Sequence, residues 1–377
     1  MYRKLIFLIL VIGVFLIAYF FYKDKNTDWS RSCESSLDSV SKKQCWEELV
    51  ENTLKVKGIE SAFDLVDYLY KSDLEFASDC HAYIHIVGDR AYHFYSQDKQ
   101  IKLSSKSSSC GYGFYHGFME TLLIAGEDIK GAGQFCKWAA KLVGGKNDVE
   151  GACFHGIGHG LSDNHDKIYW SNENELVDNP LLVCEAVGPD EYMVNRCASG
   201  VFNVLAINYI AGFLPLREED PLGFCKRQTK SYFKKPCFEE MNTMLISISN
   251  KDLLTAAEFL EEIEDEYAIS AMRSLAGVVG MSHKDLTFSK QIDDCRKVQD
   301  RLHLPCIRGF VSGLIEAETS EQEVKALSFC ESSTLSDEES GNCYQEALRL
   351  LSLYLPQDRY QSVCRNLNER YQILCST

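Results

Sequence analysis

The chain has 377 residues, 55 acidic against 39 basic, and a formal charge of −16 at pH 7. Binding to a phosphate backbone relies on clustered Lys and Arg, so this balance argues against nucleic acid as a partner. With 45% hydrophobic residues the chain can bury a core, and at this length it is either several domains or a repeat array.

The first element is apolar. Arg3 and Lys4 precede eighteen residues without a charge, Leu5 to Tyr22, and Lys23-Asp24-Lys25 close the run. At about 1.5 Å per residue a helix of that length spans roughly 27 Å, close to a hydrocarbon core of about 30 Å. Its exit, Ala18-Tyr19-Phe20-Phe21-Tyr22, lacks the small residues of a signal-peptidase site. Residues 1–22 therefore read as an uncleaved signal anchor, a transmembrane helix, and 23–32 as a linker. The membrane is the partner this segment implies.

Sixteen cysteines follow, an even number behind an export signal, with no C-x-x-C pair to suggest a zinc ribbon or a thioredoxin-like centre. That usage places the remainder in an oxidising, extracytoplasmic space, periplasmic or at the cell surface. No asparagine forms an N-x-Ser/Thr acceptor, which favours a bacterial envelope over a eukaryotic secretory route.

The cysteines fall into consecutive pairs: Cys33 with Cys45, the wider Cys80 with Cys110, then Cys136 with Cys153, Cys184 with Cys197, Cys225 with Cys237, Cys295 with Cys306, Cys330 with Cys343, and Cys364 with Cys375. Spacing alone does not settle connectivity, but its regularity favours neighbour-to-neighbour bridges. After the second cysteine of a pair comes an apolar segment of helical period, as in Val201-Phe202-Asn203-Val204-Leu205 or Phe310-Val311-Ser312-Gly313-Leu314-Ile315. The first cysteine tends to end another helical stretch, as in Ala326-Leu327-Ser328-Phe329-Cys330.

The expected fold is therefore all-α: disulfide-stapled helical hairpins repeating every 32 to 45 residues or so, an α-solenoid-like array behind the N-terminal helix. Ala271 to Gly280 occupies one repeat position without a cysteine, after an acidic helix expected over Ala256 to Tyr267, and the polar run Ser104 to Ser109 reads as an exposed loop. Residues 33–215 form the N-terminal repeats, which carry a histidine cluster, and 216–377 the C-terminal repeats, which are poor in histidine.

Within this pattern C-x-x-G-x-x-H-G occurs twice, at Cys110 to Gly117 and at Cys153 to Gly160. Gly113 with Gly117, Gly156 with Gly160, and Gly309 with Gly313 each share a helical face. They serve close helix approach or leave room for something bound.

Seven of the nine histidines lie between His81 and His165. Three segments present donors at i, i+4 spacing: His81, His85 and Asp89; His116 and Glu120; His155, His159 and Asp163. Residues four apart sit one turn above each other on a helix, so each pair can converge on one ion. Inward His and carboxylate at such spacing are how helical bundles build metal centres. These eight residues are the candidate ligands, and His93 and His165 fall outside the stripe.

Histidine with carboxylate accommodates iron, zinc or manganese. Haem is a further possibility, held noncovalently because C-x-x-C-H is absent. The sequence contains no G-x-S-x-G elbow, no H-E-x-x-H and no P-loop, so it leaves open whether the chain is an enzyme and what its substrate would be. Two functions are expected from these observations. One is a metal-dependent enzyme or metal-handling protein of the envelope; the other is a metal-free helical scaffold for an envelope protein or peptide partner. A metal-free acid–base site, a histidine oriented by a carboxylate, is the further chemistry open to the cluster.

Overall fold

The computed structural model describes residues 33, 38–98, 101–126, 128–144, 148–162, 173–215, 219–282, 287–316, 322–355 and 357–376. The expected signal anchor lies outside them. Among the described residues no helix is long and apolar enough to cross a membrane. The chain divides into two compact units, Met1–Leu49 and Val50–Thr377, and the second holds the histidine cluster.

The described residues are helical, with no strand. In chain order the first helices are α1 (Ser39–Lys57), α2 (Ile59–Ser72), α3 (Leu74–Ser78), α4 (Cys80–Asp98), α5 (Gly113–Ile124), α6 (Ile129–Val143), α7 (Val149–Ser162), α8 (Glu173–Val187) and α9 (Glu191–Ile210). There follow α10 (Gly223–Lys226), α11 (Ser231–Glu240), α12 (Asn242–Ile248), α13 (Leu253–Glu258), α14 (Asp265–Ser282), α15 (Phe288–Cys295), α16 (Asp300–Glu316), α17 (Gln322–Cys330), α18 (Asp337–Tyr354), α19 (Gln357–Asn366) and α20 (Glu369–Gln372). Side-chain caps start many of them: Asp73, Asp128, Asp190, Asp252 and Thr287 each accept a hydrogen bond from a backbone N–H of the first turn. Ser336 and Glu339 form a reciprocal capping box at α18.

A set of inner helices packs one against the next within the second unit. Helix α4 lies on α5, α5 on α7, α7 on α9, α9 on α11, α11 on α14, α14 on α16, and α16 on α18. Other helices cover them: α6 packs on α7, α8 on α9, α13 on α14, α15 on α16, and α17 on both α16 and α18. The core is the set of side chains between the two, among them Phe118 with Phe135, Phe202 with Phe224, and Phe310 with Phe329.

All eight disulfides join sequence neighbours, as the spacing predicts. Five tie a covering helix to the inner helix that follows it: Cys136–Cys153, Cys184–Cys197, Cys225–Cys237, Cys295–Cys306 and Cys330–Cys343. These five span 11 to 17 residues, so each contributes about 3 kcal/mol in the chain-entropy model. With no free cysteine, the chain suits an oxidising, extracytoplasmic compartment.

Helix α14 has no such bridge and is held by polar side chains instead. Asn242 Nδ2 donates to the Ala271 carbonyl at 2.9 Å, and Ser274 Oγ to the Glu239 carbonyl at 3.0 Å. Two expected elements differ from the sequence reading. The acidic helix over Ala256 to Tyr267 is broken between α13 and α14, because Arg301 from α16 takes the carbonyls of Leu260, Glu261 and Ile263 that a continuous helix would use internally. The run Ser104 to Ser109 is a short 3-10 turn rather than an exposed loop, with Ser107 fully buried and hydrogen-bonded to the Tyr115 hydroxyl at 2.8 Å.

Glycine sets the closeness of the inner helices. A Cβ on Gly158 of α7 would lie 2.0 Å from the Cys197 carbonyl oxygen of α9, and one on Gly200 of α9 would lie 2.0 Å from that of His155. No side chain fits, so backbones meet directly, and residues flanking the glycines are pressed together across the interface.

Candidate metal centre

Three successive inner helices bring six of the predicted residues to one place. Helix α4 supplies His81 and His85, α5 supplies His116 and Glu120, and α7 supplies His155 and His159. The glycine approaches explain the proximity: Gly117 admits the His85 backbone, and Gly156 admits the backbone of Tyr115 and His116. His116 is the hub. Its ring centroid lies 4.9 Å from that of His81, 4.8 Å from His155 and 4.7 Å from His159.

The inner three are buried, at 8% exposure for His116, 7% for His155 and 8% for His159. One ring nitrogen from each lies within 4.8 Å of the other two, the arrangement of three donors around one ion. Burial and then the neighbouring imidazoles push the His116 ring well below its ordinary pKa, and burial acts likewise on His155 with His159 and Arg196 adding to it. Both are therefore neutral near pH 7, with a lone pair to offer.

Hydrogen bonds fix which nitrogen carries the proton. Ser199 Oγ donates its hydrogen to Glu240, so at 2.9 Å from His155 Nδ1 it accepts, and His155 Nδ1 bears the hydrogen. Glu120 lies 3.3 Å from His159 Nδ1 through Oε1 and 3.1 Å from His85 Nε2 through Oε2. Burial would raise its pKa, but the hydrogen bonds from His159 and His85 outweigh it and bring it down to about 2. Glu120 is therefore an anion that only accepts, and His159 Nδ1 bears the hydrogen.

His155 Nε2 therefore presents a lone pair to His159 Nε2, 3.1 Å away. A nitrogen–nitrogen approach this short is held by a cation between the two, a proton or a metal ion. Two nitrogens bound to one tetrahedral ion at about 2.0 to 2.1 Å would be about 3.3 Å apart, so the spacing fits a shared metal. His116 adds the third donor; no hydrogen bond to its ring occurs among the described residues.

The remaining predicted ligands fare differently. Asp89 is on the correct face of α4 but one turn past the centre, where Thr121 Oγ1 donates to it at 2.6 Å. Asp163 and His165 lie outside the described residues, and His93 is exposed. Haem does not fit the inner cluster, since its rings are in contact at centroid distances of 4.7 to 4.9 Å and leave no slot for a macrocycle.

Sequence reasoning missed the residues behind the ligands. Ser199 and Asn203 on α9 and Glu240 on α11 form a polar chain, Asn203 Nδ2 donating to Glu240 Oε2 at 2.9 Å. The signal was present in the repeat register: Ser199 stands two residues after Cys197, as His155 stands two after Cys153. Comparison with family models, with curated proteins and with solved structures finds no match to this chain.

Proposed function

We propose that this protein is an extracytoplasmic, solenoid-like helical-repeat protein that holds a transition-metal ion at His116, His155 and His159 and acts as a metal-dependent enzyme or a metal-handling protein. The observation that carries this reading is the pair of facing Nε2 atoms, each with its Nδ1–H already committed to Ser199 or Glu120. Orienting acceptors of this kind behind ligand histidines set the tautomer and raise ligand basicity. All cysteines are bridged, so the donors are nitrogen and oxygen, which suits zinc, iron or manganese.

Three protein nitrogens leave a coordination position open, where a bound ion supplies Lewis-acid polarisation of a substrate oxygen or of water. The protein's own part is to hold His116 and His155 neutral and to exclude bulk water from the three donors. Anchoring by residues 1–22, with the remainder outside the cytoplasm, completes the reading and rests on the sequence.

A second reading, a scaffold for an envelope protein or peptide, draws on Ile207, Ile210 and Phe213, large apolar side chains exposed at the end of α9 and just beyond it. Elemental analysis of protein purified without chelator separates the two. About one equivalent or more of a transition metal is expected, falling by about one equivalent in a His155→Ala/His159→Ala variant whose circular dichroism and disulfide content are unchanged. Less than a tenth of an equivalent in the wild type overturns the metal reading, and full occupancy in the variant overturns the ligand assignment.

A further inference from the structure

The inner three histidines use only part of the cluster. His81, His85 and the second oxygen of Glu120 lie on its solvent side. Exposure rises outward across the group, from 10% of the His159 side chain and 14% of Glu120 to 32% of His85, and His81 is exposed.

The His81 donor is prepared in the same manner as the inner ones. The Cys110 carbonyl, 2.9 Å from His81 Nδ1, can only accept, so Nδ1 bears the hydrogen and Nε2 keeps its lone pair. That carbonyl is presented by a tight turn in which Cys110, Gly111 and Tyr112 all have positive φ, at 54°, 62° and 61°. For Cys110 and Tyr112 this is a costly conformation, retained where the surroundings impose it.

Glu120 faces both ways, with Oε1 on His159 and Oε2 3.1 Å from His85 Nε2. An ion that displaces the hydrogen His85 Nε2 shares with Oε2 would be bound side by side by a nitrogen and a carboxylate oxygen at that separation. The His81 and His85 rings are 6.4 Å apart between centroids, one turn apart on the same face of α4.

We propose that the centre takes two divalent transition-metal ions: the inner one at His116, His155 and His159, and an outer, solvent-facing one at His81, His85 and Glu120 Oε2. This rests on the metal reading above and extends it. The outer ion has two nitrogens and an anionic oxygen and keeps water in its remaining positions, which meets its charge at the protein surface. It is the more weakly held of the two and exchanges first.

The test is titration of chelator-stripped full-length protein with zinc(II), by calorimetry and by elemental analysis after desalting. Two equivalents are expected for the wild type, one for His81→Ala/His85→Ala, and one for His155→Ala/His159→Ala. The outer variant is expected to keep its fold, because His81 is exposed and His85 partly so, and circular dichroism checks this. One equivalent in the wild type overturns the outer site and leaves the inner one standing. No binding at all overturns the metal reading itself. Two equivalents retained in the folded His81→Ala/His85→Ala variant also overturn the outer site.

Discussion

Glycines bring four pairs of inner helices into backbone contact, and two of these pairs bear comparison. In one pair, α7 and α9, Gly158 and Gly200 each sit against the other helix's carbonyls. In the other, α14 and α16, a Cβ on Gly309 or Gly313 would lie 2.3 Å from the carbonyl oxygen of Arg273 or Gly277. Both interfaces also trap polar groups. Beside α14 and α16 the trapped group is Glu346, 4% exposed at its side chain, which accepts from Arg273, from Arg349 at 2.7 Å and from Ser312 at 3.1 Å. That carboxylate is satisfied by the protein alone. Beside α7 and α9 the trapped groups are the imidazoles of His155 and His159, whose Nε2 atoms lie 3.1 Å apart. Close helix approach is thus a property of the repeat, and the chemistry lies in what stands next to the glycine. Ser312 precedes Gly313 at the position that His159 holds before Gly160 and His116 before Gly117.

If the glycines are structural in both halves, filling them should be equally damaging in both. Gly158→Val and Gly309→Val are each expected to cost about 3 kcal/mol or more, the upper end of overpacking, because the clash is with backbone and cannot be relieved by a rotamer change. Denaturant unfolding of chelator-treated protein reads this. A Gly158→Val protein as stable as wild type would refute the close contact.

The two halves should part company in their response to pH. The folded pKa values of His116 and His155 lie below the unfolded value of about 6.5, so the unfolded chain takes up protons first as pH falls. Their contribution is present above about pH 6.5 and is lost below it. Glu339 in the C-terminal half is lowered from 4.5 to about 2 against the effect of burial, chiefly by the Arg296 guanidinium and by hydrogen bonds from Ser336 and His303. Its contribution persists until pH drops below 4.5 and is lost toward 2. Metal-free wild type is therefore expected to lose stability between pH 7 and 5 more steeply than His116→Asn/His155→Asn, while Glu339→Gln flattens the profile only at lower pH. Parallel profiles for wild type and the histidine variant would contradict the assigned environment of the cluster.

The histidine centre was legible from the sequence to the extent that its donors repeat at helical spacing within 85 residues or so of chain. Local periodicity puts His155 and His159 on one face, and the repeat puts α4, α5 and α7 side by side. The disulfide pairs were legible for the same reason, since each closes a short interval. What spacing could not supply is depth along a helix. Asp89 continues the His81 and His85 stripe yet ends beside Thr121, because neighbouring helices meet over a limited length. Nor could it supply the supporting chain of Ser199, Asn203 and Glu240. Ser199 lies 44 residues from His155, and Glu240 a further 41 residues on, so their roles arise only once α9 and α11 are stacked.

The smallest expected effect concerns a glycine outside any close contact. A Cβ at Gly131, exposed on the covering helix α6, would meet nothing within 4 Å, and its φ is not in the left-handed region. Alanine there keeps the helix and reduces the freedom of the unfolded chain, so Gly131→Ala should stabilise by about 0.5 to 1 kcal/mol. Read by the same denaturant midpoint, a gain at Gly131 beside a loss at Gly158 would assign the inner glycines to helix approach and not to helix entropy. A loss at both would mean that glycine in these helices is retained for some reason other than contact distance.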